Sequence, residues 1–373
     1  MTFESRFELF EKGYERGLKG RVESLDIWLK SQGIDSAAFN FESLSQFLPQ
    51  KARYMVDREK ELESIAEFVG FYKRESHALY HLSLIGAFGS GKTHLLNATQ
   101  TFLEKIKPAI KWRFVDASQF SGQVEEAEEQ QVYYQILEEL KSQANDVLLL
   151  DSCDNDKNIV SSLQQIAKIQ KKGVIITSWT PHFWNSLRDN IEDALPVSKE
   201  IHIGPLSQDD MASLVSTIMQ NVSRGKVKLS KDVLSRIHYH SAGTPRLAIL
   251  LLVKTFNQAF LEHANQIAPA IVDDAAEVLG LKGIQDKIAK LADHQLLILK
   301  HVLLEHDERG IRPSKLVEVL NKDKATVSYH LNTLLTERLL VSEKMGRYSF
   351  YRVRPEIEPF IQLRIAQESE YLA

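Results

Sequence analysis

The sequence predicts an α/β protein. A parallel sheet covered by helices on both faces comes first, a run of helices follows, and a small unit of three helices and a hairpin closes the chain. Three observations carry this. Five short apolar runs alternate with helical patterns, as parallel strands and crossover helices do. The first run enters a glycine-rich loop that opens a helix, GAFGSGKT at residues 86–93. Helical periodicity then takes over from Gln208 to Leu279, and the character changes again after Asp293.

At 373 residues the chain exceeds one ordinary core, so two or three domains are expected. With 43% hydrophobic and 26% charged residues it has the composition of a soluble globular protein. A net charge of −4 gives no global sign of nucleic-acid binding, so any basic surface must be local. The single cysteine, Cys153, excludes an intramolecular disulfide and suits a reducing compartment. The longest uninterrupted apolar run, Leu247 to Val253, is far short of a membrane span, and no apolar signal core follows Phe3, Glu4 and Ser5. A cytoplasmic protein without membrane contact is the expectation.

Residues 1–50 form an N-terminal helical segment. Phe7, Phe10, Tyr14, Leu18, Val22, Leu25 and Trp28 recur at steps of three and four, with charges on the other faces. The stripe either docks on the body of its own chain or receives a protein partner. Val56 to Val69, VDREKELESIAEFV, is charged and then helical. Leu79 to Ile85 is the first strand, and His94 to Lys105 reads as a helix.

Between them the glycines let the loop curl its N–H groups toward an anion, and the helix N-terminus adds its dipole. Gly86, Ala87, Phe88, Gly89, Ser90, Gly91, Lys92, Thr93 and His94 are the expected nucleotide-binding residues. Lys92 should reach the β- and γ-phosphates, and the Thr93 hydroxyl should ligate Mg²⁺. The cofactors expected are therefore ATP and Mg²⁺.

Ile110 to Val115 alternates as a strand, and Val124 to Leu140 follows as an acidic helix. Asp146 to Asp151, DVLLLD, is a buried strand with a carboxylate at its C-terminal edge, where it can hold Mg²⁺ through water opposite Thr93. Gly173 to Ser178 and Glu200 to Ile203 complete five strands, the former running into the polar Thr177, Ser178, Trp179 and Thr180. In HSAGTPRLAILLL, residues 240–252, Gly243 and Pro245 break one helix and Arg246 opens the next, in position to sense phosphate.

Leu296 to Leu304, Arg312 to Leu320 and Lys324 to Leu340 are three helices, and Val341 to Val353 a hairpin turning at Met345-Gly346. This is the order of a winged helix-turn-helix. Thr326, Ser328, Tyr329, His330 and Asn332 give the third helix a polar face, while Val327, Leu331, Leu334 and Leu335 point inward. Seven Lys or Arg stand against three Asp or Glu from Lys322 to Arg354, a local +4. Lys322, Lys324, Thr326, Ser328, Tyr329, Lys344 and Arg347 are the candidate contacts to double-stranded DNA, the alternative being a winged helix used for protein contacts. No histidine or cysteine stands at metal-finger spacing.

In sequence, VDREKEL, GAFGSGKT, DVLLLD, TSWT, GTPR and the C-terminal unit together resemble the AAA+ ATPases of the initiator clade, the origin-recognition type common in archaea. The resemblance spans about residues 53 to 354. It implies an αβα ATPase core over 51–205, a helical lid over 206–284 and a winged-helix DNA-binding domain over 285–373. It makes Lys92 and Thr93 the Walker A residues, Asp151 the Walker B aspartate, Thr177 or Ser178 the sensor-1 residue and Arg246 the sensor-2 arginine. Asp151, Asp154, Ser178 and Arg246 are thus the candidate catalytic residues.

Several positions depart from the family. Ser152 stands where a water-orienting Glu is usual, with Asp154 two residues on as a shorter replacement. Trp179 replaces an Asn, Asp57 replaces a Gly, and Arg188 is the candidate arginine finger. The expectation is a nucleotide-switched DNA binder with slow ATP hydrolysis, able to form oligomers with nucleotide or DNA. The alternatives are a signalling ATPase whose winged helix makes protein contacts and a transposition or plasmid-maintenance regulator that polymerises on DNA.

Overall fold

The computed structural model describes residues 24–47, 52–75, 77–117, 138, 145–156, 158–264, 266–304, 310–354 and 356–370. Most of the N-terminal stripe and nearly all of the acidic stretch from Val124 to Leu140 lie outside these.

Five parallel strands form the central sheet: β1 (Leu79–Gly86), β2 (Trp112–Asp116), β3 (Val147–Asp151), β4 (Gly173–Trp179) and β5 (Lys199–Ile203), in the order β2-β3-β4-β1-β5. The strands are apolar because both sheet faces are covered. On one face Leu82, Leu84, Leu149 and Ile176 pack with Leu95 and Leu96 of the helix after the glycine loop. On the other, Ile85, Leu148, Leu150 and Ile175 pack with Leu163, Ile166, Trp179 and Trp184. The covering helices are α3 (Glu59–Arg74), α4 (Lys92–Leu103), α5 (Ile159–Ile169) and α6 (Pro181–Ala194). Since all strands run the same way, their C-terminal ends share one edge, where α/β sheets place ligands.

Before α3 come two short helices, α1 (Leu25–Ser31) and α2 (Phe41–Phe47). Beyond the sheet come α7 (Gln208–Ser223), α8 (Lys231–Ser241), α9 (Pro245–Leu261) and α10 (Pro269–Val278). Trp28 of α1 meets Phe256 and Phe260 of α9 with ring centroids 6.5 and 5.9 Å apart. The described end of the N-terminal stripe is therefore docked on its own chain. His240 and Asp273, 2.7 Å apart, tie α8 to α10.

The C-terminal part contains α11 (Ile284–Ala289), α12 (Asp293–Leu303), α13 (Pro313–Leu320), α14 (Lys324–Thr336), the hairpin β6 (Leu340–Met345) and β7 (Tyr348–Val353), and a last helix α15 (Glu358–Glu370). Three helices and a hairpin follow in the predicted order. Val327, Leu331 and Leu334 are buried and Leu335 is half-buried.

At the third helix of this unit and at its hairpin, the boundaries differ from expectation for a local reason. The third helix stops at Thr336 rather than Leu340, because Arg338 turns to φ +61° and frees Leu340 to pair with Val353. The hairpin turns one residue later, through Gly346-Arg347, with Gly346 at φ +61° as the first position of a two-residue turn demands. Helix α15 was not anticipated.

Candidate functional site

The C-terminal ends of β1, β3 and β4 bring three polar side chains together. Because β4 lies between β1 and β3, Ser178 sits between the glycine loop and Asp151. Thr93 Oγ1 donates to Asp151 Oδ2 at 2.6 Å, and Ser178 Oγ donates to Asp151 Oδ1 at 2.6 Å. Both carboxylate oxygens are thus held from opposite sides.

Strand parity settles which of the two polar residues of β4 faces the site. Thr177 points to the other face, where its hydroxyl lies 2.8 Å from His81 Nε2 and accepts from Trp179 Nε1 at 2.7 Å. His81 Nδ1 donates to the Leu195 carbonyl at 3.1 Å. Burial holds this histidine neutral, its pKa lowered to about 4. Thr177 and Trp179 therefore serve a buried structural network, and the Trp that departs from the family pattern is core.

Lys92 opens α4 and curls back onto its own loop, donating to the Gly86 and Ala87 carbonyls at 2.7 and 3.2 Å. Burial lowers its pKa, opposed by Asp154, Asp151 and Glu358. Ser152 takes left-handed dihedrals (φ 57°, ψ 38°) and its N–H donates to Ser178 Oγ at 2.9 Å. That reversal starts the short turn Cys153–Asn155 and returns Asp154 toward Lys92. Asp154 Oδ2 accepts the Thr180 N–H at 2.8 Å, while Oδ1 is buried without a hydrogen-bond partner. Burial raises its pKa to about 6, against the pull of Lys92 and Thr180.

These groups line one wall of a cavity of about 360 Å³. Gly89, Ser90, Gly91, Thr93, His94 and Asn155 share that wall. The cavity's apolar lining includes Met55, Val56, Leu206, Leu214 and Ile249. The sequence reading placed only the segment starting at Val56 near a base; Met55, Leu214 and Ile249 come from elements whose approach depends on tertiary packing. Asp57 and Arg58 both adopt positive φ (59° and 93°), so the place where the family has Gly keeps a glycine-like backbone. Buried Arg58 donates to the Gly204 carbonyl at 2.7 Å and clamps this lining to the end of β5.

Arg246 closes the cavity from α9. Its N–H donates to the Gly89 carbonyl at 3.3 Å, and its guanidinium lies 4.9 Å from the Phe88 ring and 5.2 Å from the Phe41 ring. A Cβ at Gly89 would lie 2.5 Å from Arg246 Cβ, so only glycine allows this approach. Arg188 is half-exposed on α6, paired with Glu200 at 2.9 Å, and lines a second cavity instead.

Two unanticipated residues reach the glycine loop from α15. Gln362, fully buried, accepts the Phe88 N–H through Oε1 and donates through Nε2 to Glu358 Oε1 at 2.6 Å. Burial, then Asp154, raises the Glu358 pKa to about 7, with Lys92 and Gln362 opposing. Ile357, Phe360, Ile361 and Ile365 at helical spacing are the sequence signal for α15.

On the C-terminal unit, Lys322, Lys324, Tyr329, Lys344 and Arg347 are exposed, and Thr326 and Ser328 are half-exposed. Asp323 caps α14, accepting the Thr326 N–H at 2.9 Å and its hydroxyl at 2.6 Å, so the Thr326 hydroxyl is already engaged. Arg347 and Arg312 flank the exposed Tyr348 ring at 5.1 and 5.7 Å. Among the described residues no cluster of His, Cys, Asp or Glu could hold a metal ion by itself, and no helix is long and apolar enough to cross a membrane.

Residues 70–193 match the family model of the bacterial DnaA ATPase domain, about a third of the chain. Beside the five-stranded parallel sheet, this match makes residues 70–193 similar to an initiator-type ATPase domain. Among solved structures the chain is similar to the Aeropyrum pernix Orc1 protein in complex with DNA, at 16% identity and a TM-score of 0.49, over 85% of this chain and 94% of that one. The Aeropyrum pernix Orc2 protein in its ADPNP-ADP complexes follows at 13% identity and a TM-score of 0.47, over 84% and 95%. The chain is also similar to the Thermotoga maritima RuvB Holliday junction branch migration motor, at 19% identity and a TM-score of 0.44, over 81% and 93%. No curated protein matches the chain.

Proposed function

We propose that the chain is an ATP-binding protein of origin-recognition type whose nucleotide state governs DNA binding by a C-terminal winged helix-turn-helix. The observation that carries the nucleotide site is the hydrogen-bonded chain Thr93–Asp151–Ser178 beside Lys92, at the C-terminal edge of a parallel sheet. The base would lie against Met55, Val56, Leu214 and Ile249, and the phosphates against the 86–93 backbone and Lys92.

The residues fit a divalent cation. The Thr93 hydroxyl and the Asp151 carboxylate are hard oxygen donors already in contact, and an unpartnered buried oxygen of Asp154 lines the same cavity. Thr93 and Asp151 would hold Mg²⁺, which neutralises phosphate charge when bound. Ser178 orients Asp151, and Arg246 carries a cation from α9 to the loop, where it can report nucleotide to the helices after residue 206. The ATPase core spans 51–205, the lid 206–284 and the DNA-binding unit 285–373 in this reading.

Hydrolysis is slow in this account. Ser152 offers no carboxylate, and Asp154 has one oxygen fixed on the Thr180 N–H. DNA would meet the exposed cations of α14 and the hairpin tip, with Arg312 and Arg347 around Tyr348 as a second contact.

One observation favours a second reading. The buried cluster that holds Trp28 and the helices of the lid continues without a break into Leu316, Leu331 and Ile361, and α15 reaches the glycine loop. A winged helix docked this way suits a nucleotide-switched signalling protein. A mobility-shift titration of random duplex with and without ATP separates the two. Salt-sensitive, ATP-dependent binding supports the DNA-binding reading, and no binding supports the signalling one.

A further inference from the structure

The loop that would cradle phosphate is capped by a residue far along the chain. Phe88 is the third residue of GAFGSGKT, and its N–H, free for an anion in an open loop, is taken by the side-chain oxygen of Gln362. Gln362 is fully buried and also fixes Glu358 Oε1 at 2.6 Å, one helical turn earlier on α15. This orients the Glu358 carboxylate, which interacts with Lys92 and Asp154. The helix is not loosely placed: Ile357, Phe360, Ile361 and Ile365 are buried, and α15 packs on α6, α11 and α12.

An acidic side chain is thereby held within electrostatic reach of the lysine expected to meet the terminal phosphates and of a second carboxyl group, Asp154. A diphosphate puts its charge deeper, on the loop N–H groups and the α4 N-terminus. A triphosphate adds about one to two further negative charges on the Lys92 side, where Glu358 already stands.

We propose that Glu358 is a specificity-determining residue of the nucleotide cleft, which prefers the diphosphate while α15 is docked and takes the triphosphate only as α15 lets go of Phe88. The proposal rests on the nucleotide-binding reading above. It makes the C-terminal helix the part of the molecule that senses the γ-phosphate, and it links that sensing to the unit carrying α12, α14 and the hairpin.

The test measures equilibrium binding of fluorescent ADP and ATP analogues to the full chain with Mg²⁺ present. Wild type is expected to bind ADP at least about tenfold more tightly than ATP. Glu358→Gln, which keeps shape and removes charge, should narrow that ratio about tenfold, or 1.4 kcal/mol. Gln362→Ala, which keeps the charge but loses the anchor on Phe88, should narrow it in the same direction. Hydrogen exchange in 358–365 should speed up with the ATP analogue and not with ADP. A wild type without ADP preference, or both variants keeping the wild-type ratio, overturns the proposal. Lys92→Ala distinguishes the two levels: loss of both nucleotides there with an unchanged ratio in the α15 variants leaves the cleft standing and removes only Glu358's role. Undiminished binding of both nucleotides by Lys92→Ala removes the cleft itself.

Discussion

Thr93 and Asp151 are 58 residues apart in sequence and 2.6 Å apart in space, hydroxyl to carboxylate, with Ser178 holding the other carboxylate oxygen. Parallel strands produce this contact, since β1 and β3 end on the same edge with β4 between them. In the proposed reading this pair shares a cation, and its behaviour with and without Mg²⁺ is the first prediction. Mg²⁺ should tighten nucleotide binding by about tenfold or more in wild type. Asp151→Asn should lose most of that gain while keeping its fold, since the amide keeps the shape, one oxygen that accepts from one hydroxyl and an NH₂ that can donate to the oxygen of the other. Titrations in Mg²⁺ and in chelator decide it, and an equal gain in both proteins would remove Asp151 from the metal site.

Turnover should be at most about one ATP per minute, far under the usual range of about 1–10³ per second. Asp154→Asn should reduce the remainder by about tenfold, because its Oδ1 is the unengaged carboxylate oxygen beside Lys92. Steady-state phosphate release measures both. A wild-type rate above about one per second, or an Asp154→Asn rate equal to wild type, would show that another group activates the water.

His81 gives a pH prediction with a definite sign. Its folded pKa of about 4 lies below the unfolded value of about 6.5, so unfolded chains bind the extra proton in between. The stability contributed by neutral His81 is fully present above about pH 6.5 and is lost as pH falls toward 4, by about 3 kcal/mol in all. Asp154 and Glu358, whose folded pKa values are raised, change stability in the opposite direction, so the comparison is wild type against His81→Gln. The stability gap between the two proteins should shrink from pH 7 to pH 4 in denaturant titrations. A gap independent of pH would mean that His81 is not buried neutral.

The C-terminal surface predicts salt-dependent duplex binding. Lys324→Ala with Arg347→Ala removes two exposed cations and should flatten the salt slope by about two, one per lost phosphate contact. Nucleotide affinity should not change. Duplex binding equal to wild type at every salt concentration would place the DNA contact elsewhere and favour the signalling reading.

Much of the core was legible because parallel strands buried on both faces leave short apolar runs, and Leu82–Ile85, Val147–Leu150 and Val174–Ile176 are such runs. The loop was legible because close backbone approach demands glycine, as Arg246 against Gly89 illustrates. The choice between Thr177 and Ser178 was not, because two adjacent polar residues at a strand end differ only in which face each meets. Nor was α15 on the loop. Its apolar spacing marks a helix, but the contact between Gln362 and Phe88 crosses 274 residues and is set by how the C-terminal unit packs, not by any local pattern. Arg338 ended α14 without a Gly or Pro to announce it.

The central claim is that the cleft between residues 86–93, Asp151 and Arg246 binds a nucleotide. Titration calorimetry of the full chain with ADP and ATP in Mg²⁺, wild type beside Lys92→Ala, tests it most directly. The account predicts one site per chain in wild type and loss of binding by at least about a hundredfold in Lys92→Ala, with the melting temperature of the ligand-free variant close to that of wild type. Nucleotide binding of equal affinity in the two proteins, or none in wild type, would contradict it.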